Sequence, residues 1–272
     1  MYEKSKPKET IVNIEIGNAD IYVRKTGVGE PLLLIHGVPD SADMWDEVVA
    51  DLSERYTCYA IDLPGFHRSG MPDDFQFDLE SYGKFINQVV CKLNIVEPLT
   101  LMLHDWGGIF GMSFACQYPE KIKHIAGASF IFSHLYRWHA WARIWQTPIL
   151  GELAMLTTTK AVFVWEVKRG SPRISQQHLD QTFDRYNRWS TKIIVLKLYR
   201  SAKPSKLIPF QKKLEALVNR VHIDLVWGKN DPYVDSKYAK LISPRTIKLL
   251  ENCGHWTPVE APQEMVGLLD PS

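Results

Sequence analysis

Cysteine is scarce: four residues in 272, Cys58, Cys91, Cys116 and Cys253, with no two at CxxC spacing. That scatter excludes a disulfide framework and shows no metal site. Buried free thiols in a reducing cytoplasm are the expectation. Charge of one sign is lacking too. Thirty-two Lys and Arg stand against 31 Asp and Glu, a net of +1, so the sum carries no footprint for nucleic acid or an anionic membrane. No apolar run is long enough to span a bilayer. The opening Met1-Tyr2-Glu3-Lys4-Ser5-Lys6-Pro7-Lys8 is charged and lacks the apolar core of a signal peptide. A soluble, cytoplasmic protein is expected.

What is present is a large core. Apolar residues make up 45% of the chain, and the length suits one α/β domain with an insertion better than two domains. Ile11–Ile16 and Ile21–Arg24 alternate at period two around Gly17-Asn18-Ala19-Asp20, an opening hairpin. Pro31–Ile35 is continuously apolar, as a strand covered on both faces must be. A helix carrying Met44, Trp45, Val48, Val49 and Leu52 follows, then a strand over Tyr56–Ile61 and a helix from about Leu79 to Leu93. This alternation predicts a mostly parallel sheet with helices on both sides.

The chain's focus is Leu101-Met102-Leu103-His104-Asp105-Trp106-Gly107-Gly108. An apolar strand ends in a polar pair and two glycines, and the helical pattern Ile109–Cys116 follows. Strand, tight corner and helix form a nucleophile elbow, a strained turn that lifts one side chain above the sheet edge. Ser or Cys usually occupies that corner; here it is Asp105. Later in the chain, Ile122–Ile131 reads as the sixth strand, and the strand rhythm then stops. From about Ser133 to Ser205 the pattern is helical and aromatic. Strands resume at Val221–Trp227 and Thr246–Leu250, with a helix between them. Asp231 and His255 each stand just past one of these strands, on the sheet edge where open α/β sites assemble.

The corner His-Asp-Trp-Gly-Gly, the loop His36-Gly37-Val38-Pro39 and the order Asp105, Asp231, His255 resemble the Asp-nucleophile branch of the α/β-hydrolase superfamily, with its haloalkane dehalogenases and epoxide hydrolases. The resemblance covers nearly the whole chain. It implies an α/β-hydrolase core over residues 1–132 and 206–272, with a helical cap over 133–205 inserted after the sixth strand. It also implies an oxyanion hole made by the main-chain amides of Val38 and Trp106. His36 and His104 are read as structural, since neither holds the general-base position.

Asp105 is ionised near neutral pH, its reference pKa being ~3.9. A carboxylate suits an sp³ carbon bearing a leaving group, giving an alkyl ester on the enzyme. Water deprotonated by His255, itself oriented by Asp231, would then attack the ester carbonyl. An indole N–H suits a halide, whereas an epoxide oxygen needs a proton, which a tyrosine supplies. Trp106 and Trp141 are the expected halide binders, with Trp138 or Trp165 as replacements for Trp141. Tyr199, in Leu198-Tyr199-Arg200, is the candidate proton donor for an epoxide.

Leu103, where epoxide hydrolases commonly have Gly, favours the dehalogenase reading. Val38 departs from the Asn of many haloalkane dehalogenases. Trp106 argues against haloacetates, whose dehalogenases place Arg there. Haloalkane dehalogenation is thus the first expectation and epoxide hydrolysis the second, with a non-hydrolytic enzyme or ligand-binding protein also open on this fold. The expected partners are a small apolar organic substrate and water, with no cofactor, metal, nucleic acid or membrane; oligomeric state is left open.

Overall fold

A computed structural model describes residues 9–270. The charged opening at 1–8, read above for its lack of a signal core, lies outside the described residues. Strand β1 (Glu9–Ile16) and strand β2 (Ala19–Thr26) pair antiparallel around Gly17, whose φ of 62° the turn requires. Then come β3 (Glu30–Ile35), α1 (Asp46–Leu52), β4 (Tyr56–Ile61), α2 (Leu79–Lys92), β5 (Leu99–His104), α3 (Asp105–Gln117) and β6 (Ile122–Ala128). Five helices follow without a strand: α4 (Ala140–Gln146), α5 (Leu150–Thr157), α6 (Lys160–Gly170), α7 (Gln176–Tyr186) and α8 (Trp189–Ser201). After α9 (Gln211–Val218) the sheet is completed by β7 (His222–Gly228) and β8 (Thr246–Leu250), and the chain closes on the short helices α10 (Thr257–Glu260) and α11 (Pro262–Val266).

The strands form one sheet in the order β1-β2-β4-β3-β5-β6-β7-β8, parallel from β4 to β8. This is the expected α/β class. Leu32 to Ile35 and all of β5 are buried, as central strands covered on both faces must be. Helix α2 starts where the Asp78 carboxylate accepts the Ser81 amide at 2.8 Å. It buries Tyr82, Phe85, Ile86, Val89 and Val90, one face at helical spacing. Among the described residues no helix is long and apolar enough to cross a membrane.

Two expectations differ from what forms. The sixth strand, expected to reach Ile131, ends at Ala128, because Ser129 takes φ 54° and turns the chain out of the ladder. Phe130 then folds back beneath α3. Between β7 and β8 the expected helix is a 3₁₀ stretch, Ser236–Ile242.

Helix α3 is buried from Trp106 through Cys116, so its glycines mark close approaches. A Cβ on Gly107 would strike the carbonyl oxygens of Ile35 and His36, while one on Gly108 would strike the Phe130 ring. A side chain can rotate away; a central strand cannot. Gly108→Ala is expected to cost about 1–3 kcal/mol, the usual range for overpacking, and Gly107→Ala more than Gly108→Ala. Urea unfolding of both variants checks the order, and an equal loss would mean that the β3 backbone yields as easily as a ring.

Candidate active site

Asp105 opens α3 at φ 50°, a left-handed conformation costly for a residue with a Cβ. The Val38 amide donates to its Oδ1 at 2.9 Å, and the Trp106 amide also hydrogen-bonds to its carboxylate. Oδ2 lies 3.4 Å from Nε2 of His255. On its other side, Nδ1 of His255 donates to Oδ2 of Asp231 at 2.9 Å. The amides of Tyr233 and Val234 donate to Oδ1 of Asp231 at 2.8 and 2.9 Å. Asp231 lies in the turn after β7, and His255 in the loop after β8. The structure thus brings Asp105, His255, Asp231 and the amides of Val38 and Trp106 into one constellation.

Its electrostatics favour charge. Burial opposes ionisation of Asp105, but the hydrogen bond and charge of His255 outweigh it and hold the carboxyl below its usual range. Burial likewise opposes protonation of His255, yet the two carboxylates flanking it raise its pKa to about 10. The resting arrangement is an imidazolium between two carboxylates. His104, buried, is depressed to about 4 and stays neutral, its Nε2–H donating to the His255 carbonyl at 2.9 Å. His36 is also buried and depressed; its Nδ1–H donates to the Gly37 carbonyl at 2.7 Å while Nε2 accepts the Leu63 amide at 2.9 Å.

A cavity of roughly 710 Å³ opens above Asp105 and His255, walled by Val38, Trp145, Phe163 and Tyr199 among others. A chamber of roughly 270 Å³ adjoins it behind Trp106, Trp138 and His139. The Trp138 ring stacks on Trp106 at 5.7 Å and 21°, and its Nε1–H is buried without a partner, as is that of Trp145. Trp141 lines the larger cavity, half-buried against Trp145, and its ring packs on that side rather than on Trp106. Trp165 is 64% exposed and lines neither space. The Tyr199 ring stands edge-on to Trp106 at 5.0 Å, and its hydroxyl is pushed well above its usual range by burial and the Asp105 charge.

Other polar residues of the cavity were not singled out by sequence. His139 accepts the Ala142 amide on Nδ1 at 3.3 Å as the cap of α4, which leaves its proton on Nε2; burial depresses its pKa to about 4. Glu166 accepts from the Tyr233 hydroxyl at 3.2 Å and from Arg169 at 2.6 Å. Its place in an apolar helical stretch, Val164-Trp165-Glu166-Val167, was the one available signal. Among the described residues no His, Cys, Asp or Glu cluster is arranged to hold a metal ion.

The constellation is tied to the helical insertion through Asp40, two residues past Val38 and buried. Its Oδ1 accepts from the Ser41 amide at 2.9 Å and Arg185 at 3.3 Å; its Oδ2 accepts from His178 at 2.8 Å and the Trp256 indole at 3.3 Å. Burial opposes the Asp40 charge, but His178 and Arg185 overcome it and hold the carboxyl far below its usual range; His178 is raised in turn. Asp40 therefore lends stability above the unfolded carboxyl pKa of about 4, lost as pH falls through its lower folded value. His178 lends stability below about 6.5, lost as pH rises through its raised folded value. Asp40→Asn, which leaves Arg185 and His178 without their buried charge partner, is expected to cost about 3–5 kcal/mol. The loss should be largest between those limits and shrink on either side. Thermal melts across pH read this directly, and a loss independent of pH would remove the ion pair from the account.

Comparison with known proteins places this geometry. The family model described as the alpha/beta hydrolase fold matches residues 30–262. The chain is 34% identical over 111 residues to a cis-3-alkyl-4-alkyloxetan-2-one decarboxylase of Shewanella oneidensis, covering 40% of this chain and 35% of that protein. It is 28% identical over 106 residues to a haloalkane dehalogenase of Agrobacterium fabrum, covering 39% and 34%. These alignments span about a third of each relative's length. Among solved structures it superposes on the Cif epoxide hydrolase of Acinetobacter nosocomialis with a TM-score of 0.83 at 18% identity, covering 99% of this chain and 91% of that one. A mutant haloalkane dehalogenase of Agrobacterium tumefaciens gives 0.82 at 19%, covering 96% of each. With the family model matching most of its length, the chain belongs to the α/β-hydrolase fold family.

Proposed function

We propose that this protein hydrolyses a carbon–leaving-group bond at an sp³ carbon through an ester on Asp105, with residues 133–205 acting as the cap and haloalkanes as the substrate class. The observation that carries the reading is the orientation of the Asp105 carboxylate. Oδ1 is held by the Val38 amide, while Oδ2 faces His255 at the floor of an apolar cavity. Oδ2 attacks the substrate carbon, the carbon–halogen bond breaks, and the halide leaves with the electron pair. The unpartnered indole N–H groups of Trp138 and Trp145, with the Tyr199 hydroxyl, are the donors available to it.

Esterification removes the Asp105 charge. His255 then keeps only Asp231 as a carboxylate partner, so its pKa falls and its proton leaves for solvent, balancing the halide as HX. The free imidazole takes a proton from water, whose oxygen attacks Cγ of Asp105. The Val38 and Trp106 amides receive the developing oxyanion on Oδ1. Collapse expels the alkoxide, which takes a proton from His255 and leaves as the alcohol; the solvent oxygen stays on Asp105, whose carboxyl proton passes to His255 and restores the ion pair. Two relatives, the haloalkane dehalogenase and the alkyloxetanone decarboxylase, support this class, since both named substrates contain an sp³ carbon bonded to a leaving atom.

A second reading, epoxide opening, is favoured by one observation. Tyr199 lines both the cavity above Asp105 and the adjoining chamber, edge-on to Trp106, where its O–H can protonate a departing oxygen.

Halide release from terminal bromo- and chloroalkanes tests the first reading, with Asp105→Asn expected to release none. His255→Ala should stop at the ester, raising the intact mass by the alkyl group. Trp138→Phe should cut halide release while Tyr199→Phe changes it less. The reverse order, with turnover of terminal epoxides and none of haloalkanes, would select the second reading. Neither turnover nor an adduct with either class would sink both.

A further inference from the structure

The summed charge of +1 conceals a separation. Residues 133–205 hold twelve Lys and Arg against four Asp and Glu, leaving the rest of the chain with twenty against twenty-seven. Three of the four acids are paired, Glu152 with Arg200, Glu166 with Arg169 and Asp180 with Lys160, while Asp184 stands exposed. The insertion is therefore strongly basic and the remainder acidic.

The same segment exposes apolar side chains in an ordered way. On α5, Leu153 and Leu156 fall on one helical face, 51–64% exposed, with Leu150 beside them and Ile149 exposed at the N-cap, while Gly151 and Met155 are buried opposite. Ile149 stands outward at φ 71°, an unfavourable conformation for a β-branched residue. Its amide is fixed by the Glu152 carboxylate at 2.8 Å, and Glu152 is itself clamped by Arg200. Helix α6 begins two residues after α5 ends. It leaves Val162 and Trp165 exposed one turn apart, with the exposed cations Lys168 and Arg169 on the following turn. Val162 also lines the cavity above Asp105, so the exposed stripe of α6 reaches the rim of that cavity.

We infer that the exposed α5–α6 face of the insertion docks on an anionic lipid surface, presenting the cavity rim to the acyl region. Apolar side chains bordered by cations fit a headgroup layer whose interior takes leucine and tryptophan and whose surface takes lysine and arginine. A second copy is a poorer occupant, because pairing two insertions would set two strongly basic segments together. This face escapes a reading of the net charge, which averages a basic insertion with an acidic core. The proposal is independent of the chemistry above, and its test uses no substrate.

Flotation of the full chain with vesicles of equimolar phosphatidylglycerol and phosphatidylcholine, against phosphatidylcholine alone, decides it. The chain is expected to float with the anionic vesicles only, and less at high salt. Leu153→Glu with Leu156→Glu should abolish flotation, and Lys168→Glu should weaken it about fivefold or more. All three positions are exposed, so unchanged thermal melts verify the fold. No flotation of the wild type, or flotation untouched by the leucine pair, would overturn the proposal. A dimer in sedimentation equilibrium that the leucine pair dissolves, without vesicle binding, would overturn it in favour of a second copy.

Discussion

Everything in the candidate site depends on one backbone corner. Asp105 sits at φ 50° although it carries a Cβ, a conformation that costs about 1–3 kcal/mol and persists only where the surroundings impose it. They do so from both sides. A Cβ on Gly37 would meet the Asp105 side chain, and one on Gly107 would meet the carbonyls that end β3. The β3 loop and the β5 corner therefore interlock through two glycines, and the parallel register Ile35 with Leu103 brings them level. The product of that interlock is the 2.9 Å bond from the Val38 amide to Asp105. Strand order does the rest, since β7 and β8 end on the same edge and deliver Asp231 and His255.

How legible this was depends on how far each signal travels. Buried central strands announce themselves as apolar runs, and Asp231 and His255 each stand a few residues past a strand that the local pattern marks, so their edge of the sheet could be read from sequence. Helical period likewise marks the insertion as helical. It cannot rank the aromatics within it. Trp141 sits on α4, where spacing can be reasoned about, whereas Trp138 precedes that helix in an irregular run whose direction no period describes. The ring stacked on Trp106 is Trp138. Asp40 lay further out of reach. In sequence it is a polar residue after Pro39, and its partners His178 and Arg185 stand 138 and 145 positions downstream. Ser129 shows the opposite failure: an apolar run continues past it, but one residue at positive φ ends the strand.

The charge state of His255 distinguishes this site from one built on serine. A serine must surrender a proton to attack, so its histidine has to begin neutral. Here burial alone would make His255 neutral, and the two carboxylates reverse that. An ionised Asp105 needs no base to attack carbon; it needs the imidazolium to keep a buried carboxylate charged. In the proposed reaction a base would be required only afterwards, for water. Under the proposed mechanism, esterification would remove the same charge that keeps His255 protonated, so the order of events would follow from the electrostatics rather than from a conformational change.

The insertion enters that electrostatics through α6. One turn of it faces outward with Val162 and Trp165, and Phe163, Glu166 and Val167 line the cavity wall. Its last residue, Gly170, accepts the His255 amide at 3.3 Å, and the hydroxyl of the next, Ser171, accepts the Trp256 amide at 3.0 Å. A Cβ at Gly254 would overlap the Gly170 carbonyl, so this junction leaves no room for slippage. A swing of the whole insertion would therefore pull on the loop that carries His255 and break the buried Asp40 bonds as well. The α6–His255 junction is thus held fixed, while Thr158 and the exposed Val162 line the cavity on the insertion side.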